Sequence, residues 1–377
     1  MRFGFVFGRK EADVEELRRL IDRFQYLVDG ALVRRTEILK IELPSTFRFF
    51  RKQAHDSCQA INKSFVCNCA QQHIAILSLR NHSEALFPLD TAYRASTKEE
   101  VFEITFRAGK EWRATAVKRR SHHRANGCSR INNLCVELQA TRFQSYTSSC
   151  LGYVAENPAD EDNCYCLGLA PCPKEREQVI SLYQLLCSQR SHTRFPFFER
   201  DRLRLAIILS TSLLGLHSTP WLQDMWTSRD ILFRPLYGDL DDEAVLQPYV
   251  SQTFPSAASG LSRSAPPMVR NAALYALGKV LIQLIENKPL IDEASSLAAS
   301  GVESSDDPEQ KFAAELEPTM YRKVGKTWAE VIRRCLYCEF DVDTNAAVLD
   351  NDDFFCKVYA MVICPLVEAL QRMGNPL

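Results

Sequence analysis

Hydrophobic positions along the chain follow two rhythms, and the change between them divides it. In the first part the helical rhythm dominates after a short strand over residues 1–10. Leu17, Leu20, Ile21, Phe24 and Leu27 recur at three- and four-residue steps, and Asp29-Gly30 stops the run. A second helix is predicted over 46–62, with Phe47, Phe50, Ala54, Cys58 and Ile61 on its apolar side. The pattern then shortens to β-branched and aromatic runs: Ser64–Cys69, Ile74–Leu79, Val101–Phe106, Ile131–Leu138 and Cys150–Val154 read as strands. Residues 156–177 are a Pro- and acid-rich loop, followed by a short helix over Ile180–Ser188.

From residue 191 the rhythm is helical again. Glu199–His217 and Leu274–Glu286 are apolar on more than one face, as helices central to a core are. Phe254–Pro267 and the acidic stretch 292–310 read as loops, and Trp328–Tyr337 and Asp352–Arg372 as closing helices. The expected architecture is α+β with three parts: an N-terminal strand and helices (1–62), a strand-rich lobe (63–190) and a larger, all-helical lobe (191–377).

Composition narrows the function classes. With 46 Lys+Arg against 47 Asp+Glu, the 377-residue chain has no overall field to draw it to nucleic acid or anionic lipid. The 19-residue uncharged run Leu205–Gln223 is too polar for a membrane span. Fourteen cysteines without a secretory leader imply a reducing, cytoplasmic setting in which thiols stay free and pack as small hydrophobes. One local exception to the charge balance is the basic stretch 107–130, with Lys118-Arg119-Arg120 and His122, His123 and Arg124. It lacks interleaved aromatics for base stacking, so it reads as a solvated linker, with nucleic-acid contact as the alternative.

Metal chemistry is suggested at Cys67-Asn68-Cys69 with His73, and His55 and Cys58 upstream. A structural zinc needs four ligands, usually from C-x₂₋₄-C pairs. Here the pair is C-x-C within a predicted strand, so the reading is a packed strand and no metal. Cys335 and Cys338, spaced C-x-x-C inside a predicted helix, read as core positions. Nucleotide cradles are missing: none of the 14 glycines stands two residues from another, which excludes G-x-G-x-x-G.

The most informative segment is Leu216-His217-Ser218-Thr219-Pro220-Trp221-Leu222, with Asp224 and then Asp230-Ile231-Leu232. Together with Tyr275-Ala276-Leu277-Gly278 it resembles the helical lobe of a protein kinase around its catalytic loop. That loop needs His-Arg-Asp, with Asn five residues after the Asp, to orient a hydroxyl and hold magnesium. Here Gln223, Asp224 and Met225 stand at the first three positions and Asp230 at the fourth. Ala273 replaces the bracing Asp of the second helix. The metal-binding Asp-Phe-Gly has no clear match, since Gly238–Asp242 is only acidic. Ala116-Val117-Lys118 resembles the phosphate lysine of a kinase strand, but lies in the basic stretch and is not taken as a site.

The whole chain from about residue 2 to 373 is similar to a domain of unknown function of filamentous-fungal proteins. That domain often follows a prion-inhibition-and-propagation (HeLo-like) helical region. The residues that carry the resemblance are Cys67 to His73, Asn133-Leu134-Cys135, Cys150-Leu151-Gly152-Tyr153, the His217–Leu222 core and Cys335 to Phe340. The resemblance implies a degenerate kinase-like fold without catalysis: a cytoplasmic binding or signalling scaffold of the fungal incompatibility type, with a protein partner and no cofactor. On that reading His217, Pro220, Trp221 and Leu222 are structural. Two alternatives remain, a divergent phosphotransferase using Mg²⁺ and ATP through Asp224 or Asp230, and nucleic-acid contact through 107–130.

Overall fold

The structure is a computed structural model that describes residues 43–67, 69, 72–79, 101–108, 111–120, 128–140, 150–157, 164–170, 179–188, 198–234, 247–254, 269–290, 308–342 and 347–373. The expected N-terminal strand and first helix, the acidic motif Gly238–Asp242 and most of the acidic loop lie outside these residues. The chain forms two compact units, Met1–Thr46 and Phe47–Leu377. Of the first, only the opening turn of a helix is described; the second holds the sheet and the other helices.

The fold is α+β. Helix α1 spans residues 43–64. One antiparallel sheet of eight strands follows, in the order β4-β5-β3-β2-β1-β8-β7-β6. Its members are β1 (His73–Ser78), β2 (Val101–Ala108), β3 (Glu111–Arg120), β4 (Cys150–Ala155), β5 (Cys164–Leu169), β6 (Ile180–Ser181), β7 (Ile231–Phe233) and β8 (Pro248–Phe254). Strand alternation puts Ala75, Leu77, Phe102, Ile104, Phe106 and Val117 on one buried face. Helix α1 covers that face. Phe50 packs on Phe102 with ring centroids 5.3 Å apart, and Phe65 packs on Phe106 and Phe254 at 6.2 and 5.5 Å.

Four sequence expectations are corrected here. Ser64–Cys69 is not a strand: α1 runs to residue 64, where Ser64 Oγ donates to the Ile61 carbonyl at 2.7 Å, and the chain then leaves as a loop. Ile131–Leu138 contains a helix, α2 (Leu134–Gln139), because Asn133 caps it: its Oδ1 accepts from the N–H groups of Cys135 and Val136. The basic stretch is not a linker over Glu111–Arg120, which is the interior strand β3. Thr115 and Val117 are buried on one face there, between the charged positions. Nor is the second half all helical, since it donates β7 and β8 to the sheet, and β8 pairs with β1 along its whole length.

The remaining helices are α3 (Leu182–Ser188), α4 (Glu199–Leu216), α5 (Ala272–Glu286), α6 (Pro308–Tyr337), α7 (Asp352–Val358) and α8 (Cys364–Arg372). α4 and α5 are almost wholly buried and pack against each other, and α6 packs along α5. Helices α5 and α6 come close together at Gly278. A Cβ there would stand 2.9 Å from Leu336 Cδ2 and 3.2 Å from Cys335 Cβ, so the absence of a side chain sets the helix spacing. Between α7 and α8 the turn Tyr359–Ile363 widens to a π-helix. Pro365 follows and has no N–H to offer the Met361 carbonyl. The Arg334 guanidinium donates to that carbonyl instead, at 3.3 Å.

The expectation that every thiol is free is also corrected. Cys128 and Cys150 form a disulfide. The backbone brings them together: Tyr153 N–H donates to the Ser129 carbonyl and Ile131 N–H to the Tyr153 carbonyl, which lays residues 129–131 along β4.

Candidate functional site

Two places in the fold gather chemistry. The first is the turn after α4. The helix ends because Pro220 cannot continue it, and Ser218 takes a left-handed conformation, φ 59°. Thr219 closes the end, with its N–H and its Oγ1 both donating to the Leu216 carbonyl, at 3.1 and 2.6 Å. Trp221 then turns into the core, 3% exposed. Its ring meets Phe254 edge-on and its Nε1–H donates to the Ala54 carbonyl of α1 at 3.1 Å.

Beside it, His217 is buried against the Arg51 guanidinium, which donates to the imidazole and forms an ion pair with Asp350 at 2.6 Å. Burial, then the Arg51 charge, lowers the His217 pKa to about 4, with Asp350 opposing them. At neutral pH the ring is therefore uncharged and accepts from Arg51. Of the two carboxylates in the segment, Asp224 is exposed, while Asp230 Oδ2 accepts from the Thr227 N–H and hydroxyl at 2.7 and 2.9 Å. That Asp thus closes its own turn. Met225 is half-buried, and Ala273 is buried at the start of α5.

The second place is at the His73 end of β1. Cys67, Cys69, His73 and Cys135 bring one donor atom each to within 4.8 Å of all the others. Cys67 Sγ lies 2.9 Å from His73 Nε2, and Cys69 Sγ 3.5 Å from Cys135 Sγ. Three elements supply the four side chains: the loop after α1, the first residue of β1, and the first turn of α2. Asn133 ties the loop to the helix. Its Nδ2 donates to the Val66 carbonyl at 2.7 Å while its Oδ1 caps α2. Phe65 stacks on the His73 ring, centroids 4.6 Å apart and 12° from parallel, which fixes the imidazole plane.

The thiols influence one another's protons. Burial raises Cys67, but hydrogen bonds from the Cys69 backbone and from the Cys69 and Cys135 thiols outweigh it and hold Cys67 below the ordinary thiol value. Burial first, and then its thiol neighbours, push Cys135 up to about 12. Burial lowers His73, so its ring is neutral. The thiol whose pKa is lowered, Cys67, is thus flanked by two further thiols and a neutral imidazole.

Sequence reasoning found Cys67, Cys69 and His73, with His55 and Cys58 as further donors, but expected no metal because the pair is C-x-C and was placed in a strand. Cys135, distant in sequence, is the fourth donor. His55 and Cys58 are not part of the group, and Cys58 is buried on α1 with its pKa raised to about 12 by burial. Cys335 and Cys338 are buried at the end of α6, with Cys335 packed on Gly278.

Residues 45–373 match the family model described as a domain of unknown function, DUF7580. The chain belongs to this family. Both places described above fall inside the DUF7580 region. No curated protein matches the chain. Among the described residues, no helix is long and apolar enough to cross a membrane. On the sheet face away from α1 the DUF7580 region also carries a cleft of about 640 Å³, lined in part by Ile74, Ile76, Arg107, Trp112, Tyr183 and Arg229. The Arg229 guanidinium lies 3.7 Å from the centre of the Tyr183 ring.

Proposed function

We propose that this chain is a cytoplasmic, kinase-like scaffold that binds a protein partner and performs no phosphoryl transfer. The observation that carries the reading is the state of the loop after α4. Trp221 and Thr219 pin it, Asp230 is spent on its own turn, and the position of the catalytic Asp is Met225. A phosphotransferase needs that loop to present a carboxylate to the substrate hydroxyl and a side chain to magnesium. The kinase-like part of the reading is supported by the element order: three antiparallel strands, the third bearing Ala116-Val117-Lys118, then a helix, then a hairpin returning beside the third strand. The packing of α4 on α5 supports it as well.

A second reading, a divergent Mg²⁺- and ATP-dependent phosphotransferase, is favoured by Lys118 on β3 with Glu137 following on α2, the two element types from which a kinase draws its ion pair. Against it, Lys118 alternates with buried Val117 and so leaves the sheet on the face away from Phe102 and α1. Thermal denaturation with MgATP separates the two. Ligand at 100 times its Kd stabilises a native state by about 2.7 kcal/mol. The scaffold reading expects no shift at millimolar MgATP, and a saturable shift that is lost in Lys118→Ala would replace it with the phosphotransferase.

A further inference from the structure

We infer that Cys67, Cys69, His73 and Cys135 form a structural zinc site that fastens the loop after α1 and helix α2 to the start of β1. The inference does not depend on the kinase-like reading. Zinc–thiolate bonds of about 2.3 Å in a tetrahedron place sulfur atoms roughly 3.8 Å apart. The contacts found, 2.9 Å for Cys67–His73, 3.5 Å for Cys69–Cys135 and no more than 4.8 Å for any pair, bracket that spacing, so small side-chain shifts bring all four atoms within reach of one ion. Three thiolates and one imidazole are a soft donor set that suits zinc and disfavours magnesium or calcium. Four protein ligands fill the tetrahedron, which makes the site structural and leaves no position for a reacting water.

The surroundings are those of a built site. Asn133 holds two of the three ligand-bearing segments at once, through the Val66 carbonyl on one side and the Cys135 N–H on the other. Gln139 Nε2 donates to Cys135 Sγ at 3.5 Å, a contact that a metal-bound thiolate strengthens by its charge. Phe65 fixes the plane of His73. The chain around Cys67 and Cys69 has left α1 and not yet entered β1. Its described residues, Phe65 to Cys67 and Cys69, belong to no strand, and a metal supplies a cross-link there. On binding, the thiols release their protons to solvent and the ion is held without a change of oxidation state.

The test uses the full chain, purified under reducing conditions without chelator. The expected result is one zinc per chain by elemental analysis. After exchange, Co²⁺ should give the visible bands of a tetrahedral ion together with near-ultraviolet thiolate-to-cobalt absorption. Asn133→Ala should weaken zinc about 10–100-fold in a competition with a chromophoric chelator, as loss of an orienting contact does. Cys69→Ser and Cys135→Ser should each weaken it further. Because those two variants risk misfolding, His73→Cys provides the second arm: it should keep the metal and raise the thiolate-to-cobalt absorption. A folded, reduced chain that takes up neither zinc nor cobalt overturns the inference. So does a Cys69–Cys135 disulfide found by mass spectrometry in place of the metal, or a His73→Cys cobalt spectrum identical to that of the parent.

Discussion

Replacing Trp221 by Ala tests whether the loop after α4 is held by packing. The indole is 3% exposed, in contact with Phe254, and bonded to the Ala54 carbonyl. Burial of a side chain of this size removes on the order of 200 Å² from water, which at ~25 cal/mol/Å² corresponds to about 5 kcal/mol as an upper bound. Aromatic-to-Ala changes in cores cost ~3–5 kcal/mol with the cavity included, so that is the expected range. The hydrogen bond is the smaller part. Ala54 O also accepts from Ser57 Oγ at 3.1 Å, so losing the indole does not strand it, and Trp221→Phe should cost only about 1–2 kcal/mol. Urea unfolding followed by far-ultraviolet circular dichroism measures both, provided the slope with denaturant stays constant. A Trp221→Ala midpoint equal to that of the parent would refute the packing argument. A Trp221→Phe loss as large as that of the alanine variant would show that the N–H, and not the ring, holds the loop.

Three further outcomes follow from the geometry. Gly278→Ala should cost ~1–3 kcal/mol in the same unfolding assay, because its Cβ meets Leu336 and Cys335 across the α5–α6 contact. Gly152→Ala should cost more, since at φ +152° the new Cβ stands 2.7 Å from the Ser129 carbonyl oxygen, which cannot swing aside as a side chain can; a cost below that of Gly278→Ala would contradict this. Stability should fall as pH drops from about 6.5 towards 4. His217 takes up its proton near 6.5 when unfolded but only near 4 when folded, so the unfolded state binds more protons in that window, worth at most about 3 kcal/mol; His217→Asn should flatten that part of the profile, and an unchanged difference curve would remove His217 as its source.

How much of this could be read from the sequence depended on the range of the interactions. α4 and α5 were plain because Leu203 to Leu216 and Leu274 to Ile285 carry their own burial signal, and β1 and β2 because their residues alternate or run apolar. β8 was missed. Pro248 opens it and Ser251-Gln252-Thr253 look like loop, yet a proline is tolerated as the first residue of a strand, and pairing with β1 decides the rest. α2 had a visible signal, Asn133 before Leu134-Cys135, that was outweighed by β-branched Ile131 and Val136. The metal site was half legible. The C-x-C and the histidine are local, but Cys135 joins them only through the fold, and the strand assigned to Ser64–Cys69 removed the loop that lets both thiols converge.

The position of β8 also governs how the chain can be made. β1 sits in the middle of the sheet, but one of its two partners, β8, is translated long after it, with β2 to β7 and α2 to α4 in between. Until Pro248–Phe254 leaves the ribosome, β1 keeps a bare edge of unpaired N–H and C=O groups flanked by Ile74, Ile76 and Leu77, the kind of edge that recruits other chains. A fragment that stops before β8 therefore does not contain a smaller version of this fold. It contains an open sheet, whose edge stays exposed for as long as synthesis takes to bring the missing strand.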